Sequence, residues 1–543
     1  MALAMAYDPK AERRPLLALL AWAALLFSCG VWWGLPNSFT WAGDELNPST
    51  WPQALDPRTP GLWDARYPPL QFALLQGISW PLRAAAEHGV EQPTKAELNV
   101  QLIYLSRGVS LVMALITLWF LYRAAREIQE PRAALWSVFI LASVAPYVYY
   151  AKMANLDVPY VMWFTLSLWM FLRILKEHRL RDYVLFAAAA AAAVCTKDQA
   201  YGLYTLAPIP IAVSLWRRDY RGRENGPWGG IWRTLVDRRI WVAAGTAVVL
   251  FVVFQNLIFD FHRFQVHLRL LRGPMSENYQ DYEGNVGGQM ELLRTFLGLV
   301  GFSLNPVLSV ACLAGLVMTF WRGRLATVAE SAQKIVLLRS SLVLVLSYYF
   351  TFLVLILFCY DRYVLPVTVV LALFGGLALG AFTRPTGRWR MARWSLAAAV
   401  ALYSALYAAS VDFRLLADSR YHIEKWVVLH AKEPGSVMAI GRHHHVARFR
   451  WVTWERALLD DGEILRRERP EFVVLNLTDL RHPAEEELAR RLETGEIDYR
   501  LALRYRGTPA LDILPVPSEY SSARFINPEM AVYERVGPSR SVP

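Results

Sequence analysis

Long apolar runs recur through the first three quarters of this 543-residue chain and stop before the last quarter. Leu16–Trp33, Val242–Phe259, Leu342–Tyr360 and Val364–Phe382 are each long enough to cross a hydrocarbon core as a helix. Weaker stretches of the same kind fall near 103–122, 133–150, 158–175, 183–196, 199–216, 295–320 and 394–411. The pattern predicts an all-α polytopic membrane bundle of about eleven transmembrane helices over residues 1–411. Residues 412–543 turn polar. There a helical period over 418–428 is followed by strand-like Ser436–Gly441, Phe472–Asn476, Tyr499–Tyr505 and Ala531–Glu534, with helix-like 454–468 and 483–494. That alternation predicts a small soluble α/β domain.

Composition agrees with a membrane protein: 55% of residues are apolar and 13% aromatic, above the range of soluble domains. The net charge of +11 is spread unevenly. Basic residues gather in alternate connections: Lys10, Arg13 and Arg14, then 123–132, 173–181, 217–239, 322–339 and 384–393. The positive-inside rule places these in the cytoplasm, which puts the N-terminus inside and the C-terminal domain on the outer face of an inner membrane. The excess charge is thus a topology signal and not a nucleic-acid footprint. The first span is too long for a signal peptide and reads as an uncleaved anchor. Cys29, Cys195, Cys312 and Cys359 lie in or beside spans, so no disulfide framework and no CxxC metal motif is expected in the outer domain.

In this register, four polar clusters map to the outer face. The first is Trp41-Ala-Gly-Asp44-Glu45, opening an outer loop over 34–102 that is far longer than an ordinary connection. It reads as paired carboxylates for acid–base work or as a solvated turn. The second is Arg66-Tyr67-Pro68-Pro69-Leu70, leading into an interfacial segment through residue 80; Arg66 suits a phosphate or simply snorkels. The third runs from Tyr149 and Tyr150 through Lys152 and Asn155 to Asp157 and Pro159, with Asp157 as a functional carboxylate or a helix cap. The fourth comprises Thr196-Lys197-Asp198-Gln199 and Tyr360-Asp361-Arg362-Tyr363. Cations at outer helix ends run against the positive-inside rule, so they call for a bound anion or a local Asp partner.

The order Asp44-Glu45, Tyr-Pro-Pro-Leu at 67–70, Leu-Asp-Val-Pro at 156–159, Thr-Lys at 196–197 and Arg-Tyr-Val-Leu-Pro at 362–366 resembles the GT-C superfamily of membrane glycosyltransferases. The nearest branch is that of protein O-mannosyltransferases and lipid A aminoarabinose transferases, and the resemblance covers roughly residues 15–411. It implies a helical bundle with interfacial helices in the first outer loop and a polyprenyl-phosphate sugar as donor. It implies Asp44 as the catalytic carboxylate, with Glu45 and Asp157 as further acidic site residues that orient the base, bind sugar or hold a divalent ion. Arg66, Lys197 and Arg362 would handle the phosphate, with Tyr67, Lys152 and Tyr363 completing the donor-binding set. Tyr67 stands where many relatives carry Lys or His, and Leu46-Asn47-Pro48 replaces the Arg-Tyr that often follows Asp-Glu.

The expected reaction is an inverting transfer of the sugar to a hydroxyl of a glycan, lipid or protein acceptor, with no cofactor required and no metal ligands assigned beyond Glu45. The rival reading is a transporter or flippase for lipid-linked sugars. Its usual midplane charges and internal repeats are not visible here. In the outer domain, His443-His444-His445 cannot all face one ion from a regular element and read as a loop.

Overall fold

The computed structural model describes residues 9–36, 40–55, 66–89, 92–220, 227–273, 280–322, 329–384, 388–431, 436–441, 447, 453–454, 463–480 and 483–536. The chain forms two compact units. One comprises residues 1–28, 46–92 and 105–408; the other comprises 29–45, 93–104 and 409–543.

The first unit is helical. Among the described residues, six helical stretches are long and apolar enough to cross a membrane: Lys95–Ile128, Asp157–Glu177, Val286–Trp321, Ala332–Ile356, Asp361–Phe382 and Arg390–His430. Pro131–Ala142 and Ala145–Ala151, bent by 70°, make a seventh if taken as one broken span. The chain is a multi-pass membrane protein. The remaining four predicted stretches overlap helices of other forms, the first, Leu16–Trp33, lying on Pro9–Ser28 and running five residues past its end. Leu180–Thr196 and Arg238–Phe254 have 17 residues each, and the 199–216 stretch is divided between Tyr201–Tyr204 and Pro208–Leu215. Proline causes that last division, because Pro208 and Pro210 supply no amide to continue a helical ladder.

Helix Leu365–Phe382 is buried along most of its length. Glycine lets its neighbours approach it backbone to backbone. A Cβ at Gly376 would lie 2.5 Å from the Ala133 carbonyl, and one at Gly315 would overlap the Phe374 carbonyl. Helices Arg238–Phe254 and Val286–Arg322 instead expose Val248, Val249, Val253, Leu297, Val310, Leu313 and Val317. These apolar side chains lie on the surface, whereas helix 365–382 is apolar all round because protein surrounds it. Helix 286–322 breaks at Asn305, where φ is 61°, ahead of Pro306. The Asn305 carboxamide oxygen caps the restart, accepting from the amides of Val307 and Leu308 at 3.0 and 3.1 Å.

The long connection over 34–102 contains helices Thr50–Leu55 and Leu70–His88. The segment expected to end near residue 80 continues through Pro81 to His88. Helix Lys95–Ile128 starts eight residues before the apolar stretch, at a capping box: Thr94 Oγ1 accepts from the Glu97 amide at 3.2 Å while Glu97 accepts from the Thr94 amide at 2.8 Å.

The second unit carries a five-stranded sheet in the order β2-β1-β3-β5-β4. The strands are β1 Val437–Ile440, β2 Thr453–Trp454, β3 Phe472–Asn476, β4 Tyr499–Tyr505 and β5 Met530–Arg535. β1 is parallel to β2 and β3, and β5 runs antiparallel to β3 and β4. Alternate residues fill two cores. Met438, Val473, Leu475 and Tyr533 pack with Leu488 and Leu492 of helix Pro483–Thr494, and Val437, Val474 and Val532 pack with Ile423 and Val427 of helix Ser419–His430. Of the stretch 454–468, expected to be helical, Trp454 lies on β2 and Glu463–Glu468 form a helix, while 455–462 lie outside the described residues. His443–His445 lie outside the described residues.

Candidate active site

Asp157 begins helix Asp157–Glu177, where Asn155 Oδ1 accepts its amide at 3.1 Å. A turn of two residues, 178–179, joins this helix to Leu180–Thr196. The pair is antiparallel, so the start of the first helix and the end of the second lie together. Lys197 caps that second end in extended conformation, and its Nζ meets Asp157 Oδ1 at 2.6 Å. The carboxylate thus sits at a positive helix terminus and the ammonium at a negative one. Both side chains are buried.

Aromatic rings surround the pair. Lys197 Nζ lies 5.8 Å from the ring centroid of Tyr160 and 6.0 Å from that of Tyr363. Gln199 donates to the Tyr160 hydroxyl at 2.6 Å. Tyr363 also takes the Arg362 guanidinium, whose carbon lies 5.6 Å from its centroid and 5.2 Å from that of Tyr360. Two cations therefore share one aromatic ring, an arrangement that concentrates positive potential around it. Arg362 is half-buried, which leaves part of its planar donor set accessible. Beside it, Asp361 accepts from the Tyr150 hydroxyl at 3.1 Å.

Of the residues singled out from sequence, Asp157, Lys197, Arg362 and Tyr363 come together here. Lys152 is fully buried and donates to the Leu26 carbonyl at 3.0 Å. Arg66 is exposed and Tyr67 half-buried, just ahead of helix Leu70–His88. Asp44 and Glu45 belong to the second unit, in a turn closed by the Glu45 amide on the Ala42 carbonyl at 3.1 Å; Asp44 is exposed and Glu45 half-buried. Among the described residues no three His, Cys, Asp or Glu side chains gather as a metal site.

Sequence reasoning missed Tyr160, although it lies one turn after Asp157 and so on the same helix face. It also passed over the pairing of Asp198 with His267, whose Nε2 lies 3.0 Å from Asp198 Oδ1. A local Lys197–Asp198 pair was one expectation for this motif. The short 3-10 turn Asp198–Ala200 gives Lys197 and Asp198 different long-range partners.

Residues 103–259, which include Asp157 and Lys197, match the family model for dolichyl-phosphate-mannose-protein mannosyltransferases. The match spans less than a third of the chain. Solved structures align with the chain at low identity. The S. cerevisiae protein O-mannosyltransferase Pmt1-Pmt2 complex bound to its sugar donor aligns at 16% identity over 48% of this chain and 35% of that one, with a TM-score of 0.35. ArnT from Cupriavidus metallidurans bound to undecaprenyl phosphate aligns at 12% over 97% and 98%, with a TM-score of 0.48. The oligosaccharyltransferase AglB from Archaeoglobus fulgidus, in complex with an inhibitory peptide and a dolichol-phosphate, aligns at 11% over 93% and 75%, with a TM-score of 0.45. The chain thus spans well under half of the yeast protein and nearly all of ArnT. A search of curated protein sequences gave no match.

Proposed function

We propose that the protein transfers a sugar from a polyprenyl-phosphate donor to an acceptor hydroxyl at the outer face of an inner membrane. The observation that carries this reading is the buried Asp157–Lys197 pair beside Tyr363 and Arg362, inside and next to the segment that matches the mannosyltransferase model. Eleven spans, a cytoplasmic N-terminus and an outer domain from residue 412 complete the topology, in keeping with the basic connections.

In the mechanism we assign, Asp44 accepts the proton of the acceptor hydroxyl as its oxygen attacks C1 of the sugar. The C1–O bond to phosphate breaks, and its electron pair leaves with the polyprenyl phosphate, so the anomeric centre inverts. Lys197 and Arg362, with Arg66, meet the charge that develops on the leaving oxygen. Fixed cations suit that task because they need no reorganisation as charge builds. Asp157 holds Lys197 in place, while Glu45 supports Asp44 or binds the sugar. Tyr67, Tyr363 and Lys152 line or brace the donor site.

Turnover by wild type and Asp44→Asn, with polyprenyl-phosphate sugars and membrane acceptors, tests the assignment. The variant is expected to bind donor and to transfer sugar about 100-fold or more slowly, the usual cost of losing a general base. Wild-type turnover by Asp44→Asn would remove Asp44 from the mechanism.

A further inference from the structure

The second unit ties the acidic turn to the root of the C-terminal domain through an unusual set of buried groups. Trp33 and Trp41 have no exposed surface and meet edge to face at 5.8 Å. The Arg420 guanidinium carbon stands 4.2 Å from the Trp41 ring centroid and 5.1 Å from that of Trp33. Asp418 holds Arg420 with both carboxylate oxygens, at 2.8 Å to Nε and 2.7 Å to a terminal nitrogen. The same carboxylate accepts from the Trp33 indole and from the Asn527 amide, each at 3.0 Å. Tyr421 packs on Trp41 at 4.8 Å, and its hydroxyl accepts the Gly34 amide at 3.4 Å.

The path of the chain depends on Gly34. Its φ is 73°, and a Cβ there would lie 2.9 Å from the Trp41 amide nitrogen, so only glycine lets residues 34 and 41 close upon each other. Asp44 follows Trp41 by three residues. Thr40 and Glu45 both donate to the Ala42 carbonyl, at 3.2 and 3.1 Å, which fixes the short link between them.

The Arg420 and Asp418 side chains are fully buried. A buried ion pair seldom stabilises a fold better than well-packed apolar residues of the same volume. What it does impose is direction. Bidentate pairing and stacking on two indoles leave Arg420 one orientation, and Trp41 is held against it. Stability alone would be served more cheaply, so a positional role accounts for this choice of residues.

We infer that Arg420, with Asp418 and Tyr421, positions the Asp44–Glu45 turn for catalysis, and that the C-terminal domain is thereby part of the transfer machinery. The inference rests on Asp44 being the general base. Loss of this clamp lets the carboxylate wander from its attack geometry. Small misplacements of a catalytic group carry large rate penalties.

Donor dissociation constant, kcat and thermal midpoint are measured for wild type, Arg420→Met, Arg420→Lys, Tyr421→Phe and Asp44→Asn. Arg420→Met is expected to lower kcat at least tenfold with donor affinity within threefold. Arg420→Lys, which keeps a charge over Trp41, recovers part of the loss. Tyr421→Phe, which removes only the hydroxyl on Gly34, lowers kcat severalfold with an unchanged midpoint. A folded Arg420→Met with kcat within twofold of wild type overturns the inference. If Arg420→Met does not fold, Tyr421→Phe decides in its place, and wild-type kcat there overturns it equally. Failure of the base assignment looks different, because Asp44→Asn then turns over normally whatever the clamp variants do.

Discussion

Replacing Lys197 with methionine strips the cation from a carboxylate that has 2% of its side chain exposed. At 2.6 Å, and with an effective dielectric constant of about 20, the lost attraction is roughly 6 kcal/mol. Bringing two ions out of water costs several kcal/mol each, so the intact pair adds little net stability. Breaking it is another matter. Lys197→Met leaves a buried unpaired carboxylate and should destabilise the protein by about 3–5 kcal/mol. The double variant Asp157→Leu/Lys197→Met removes both charges and should return to within about 1 kcal/mol of wild type. Denaturant unfolding in one detergent, arranged as a double-mutant cycle, measures the coupling. Donor turnover is the second axis, where Lys197→Met and the double variant should be inactive because the phosphate loses its cation. A single variant costing under about 1 kcal/mol, or a double variant losing the sum of both singles, would refute the reasoning.

Other predictions concern packing, pH and charge. Gly376→Leu drives a side chain into the Ala133 carbonyl and the Ser137 side chain, so folded yield should collapse, measured as the monodisperse fraction on gel filtration. His178, held between the Tyr183 hydroxyl at 2.8 Å and Ser214 Oγ at 3.0 Å, has its pKa pushed down to about 4 by burial and then by Arg218 and Arg239. The unfolded imidazole takes a proton below about pH 6.5 and the folded one only near 4, so stability falls as pH drops through that window, by about 3 kcal/mol in all. His178→Asn should flatten the dependence of the thermal midpoint on pH, and an unchanged slope would contradict the assignment. Arg362→Gln should weaken donor binding about tenfold and reduce its sensitivity to salt; equal salt slopes would place the phosphate elsewhere.

Much of this architecture was legible in the chain because a membrane protein writes its spans in one dimension. Each predicted apolar stretch overlaps helix, although Leu16–Trp33, Val242–Phe259 and Leu342–Tyr360 run past their helices' ends, and the central burial of residues 365–382 follows from their lack of any polar face. What escaped was local. The Asn305 break and the division of 199–216 turn on single prolines and caps that a hydropathy window averages away. In the C-terminal part the strand-like runs located β1, β3, β4 and β5, whereas β2, a two-residue strand, is too short to stand out. The candidate site was legible in part, since motif order picked out Asp157, Lys197, Arg362 and Tyr363. Tyr160 was not, and Gln199 was named only as part of its motif, for nothing marks an aromatic or amide as a partner until two helix ends meet. The Arg420–Asp418 clamp was equally hidden, because it joins residues some 380 positions apart, as Trp33 and Asp418 are.

The central claim is that this chain cleaves a polyprenyl-phosphate sugar and passes the sugar on. Purified wild type in liposomes with a radiolabelled polyprenyl-phosphate hexose or pentose and crude membrane acceptors tests it most directly, with the lipid fraction followed by mass spectrometry. The account predicts free polyprenyl phosphate appearing in step with labelled acceptor, and neither product with Asp44→Asn. Donor crossing the bilayer with its sugar still attached, and no polyprenyl phosphate released, would contradict it and make the protein a transporter.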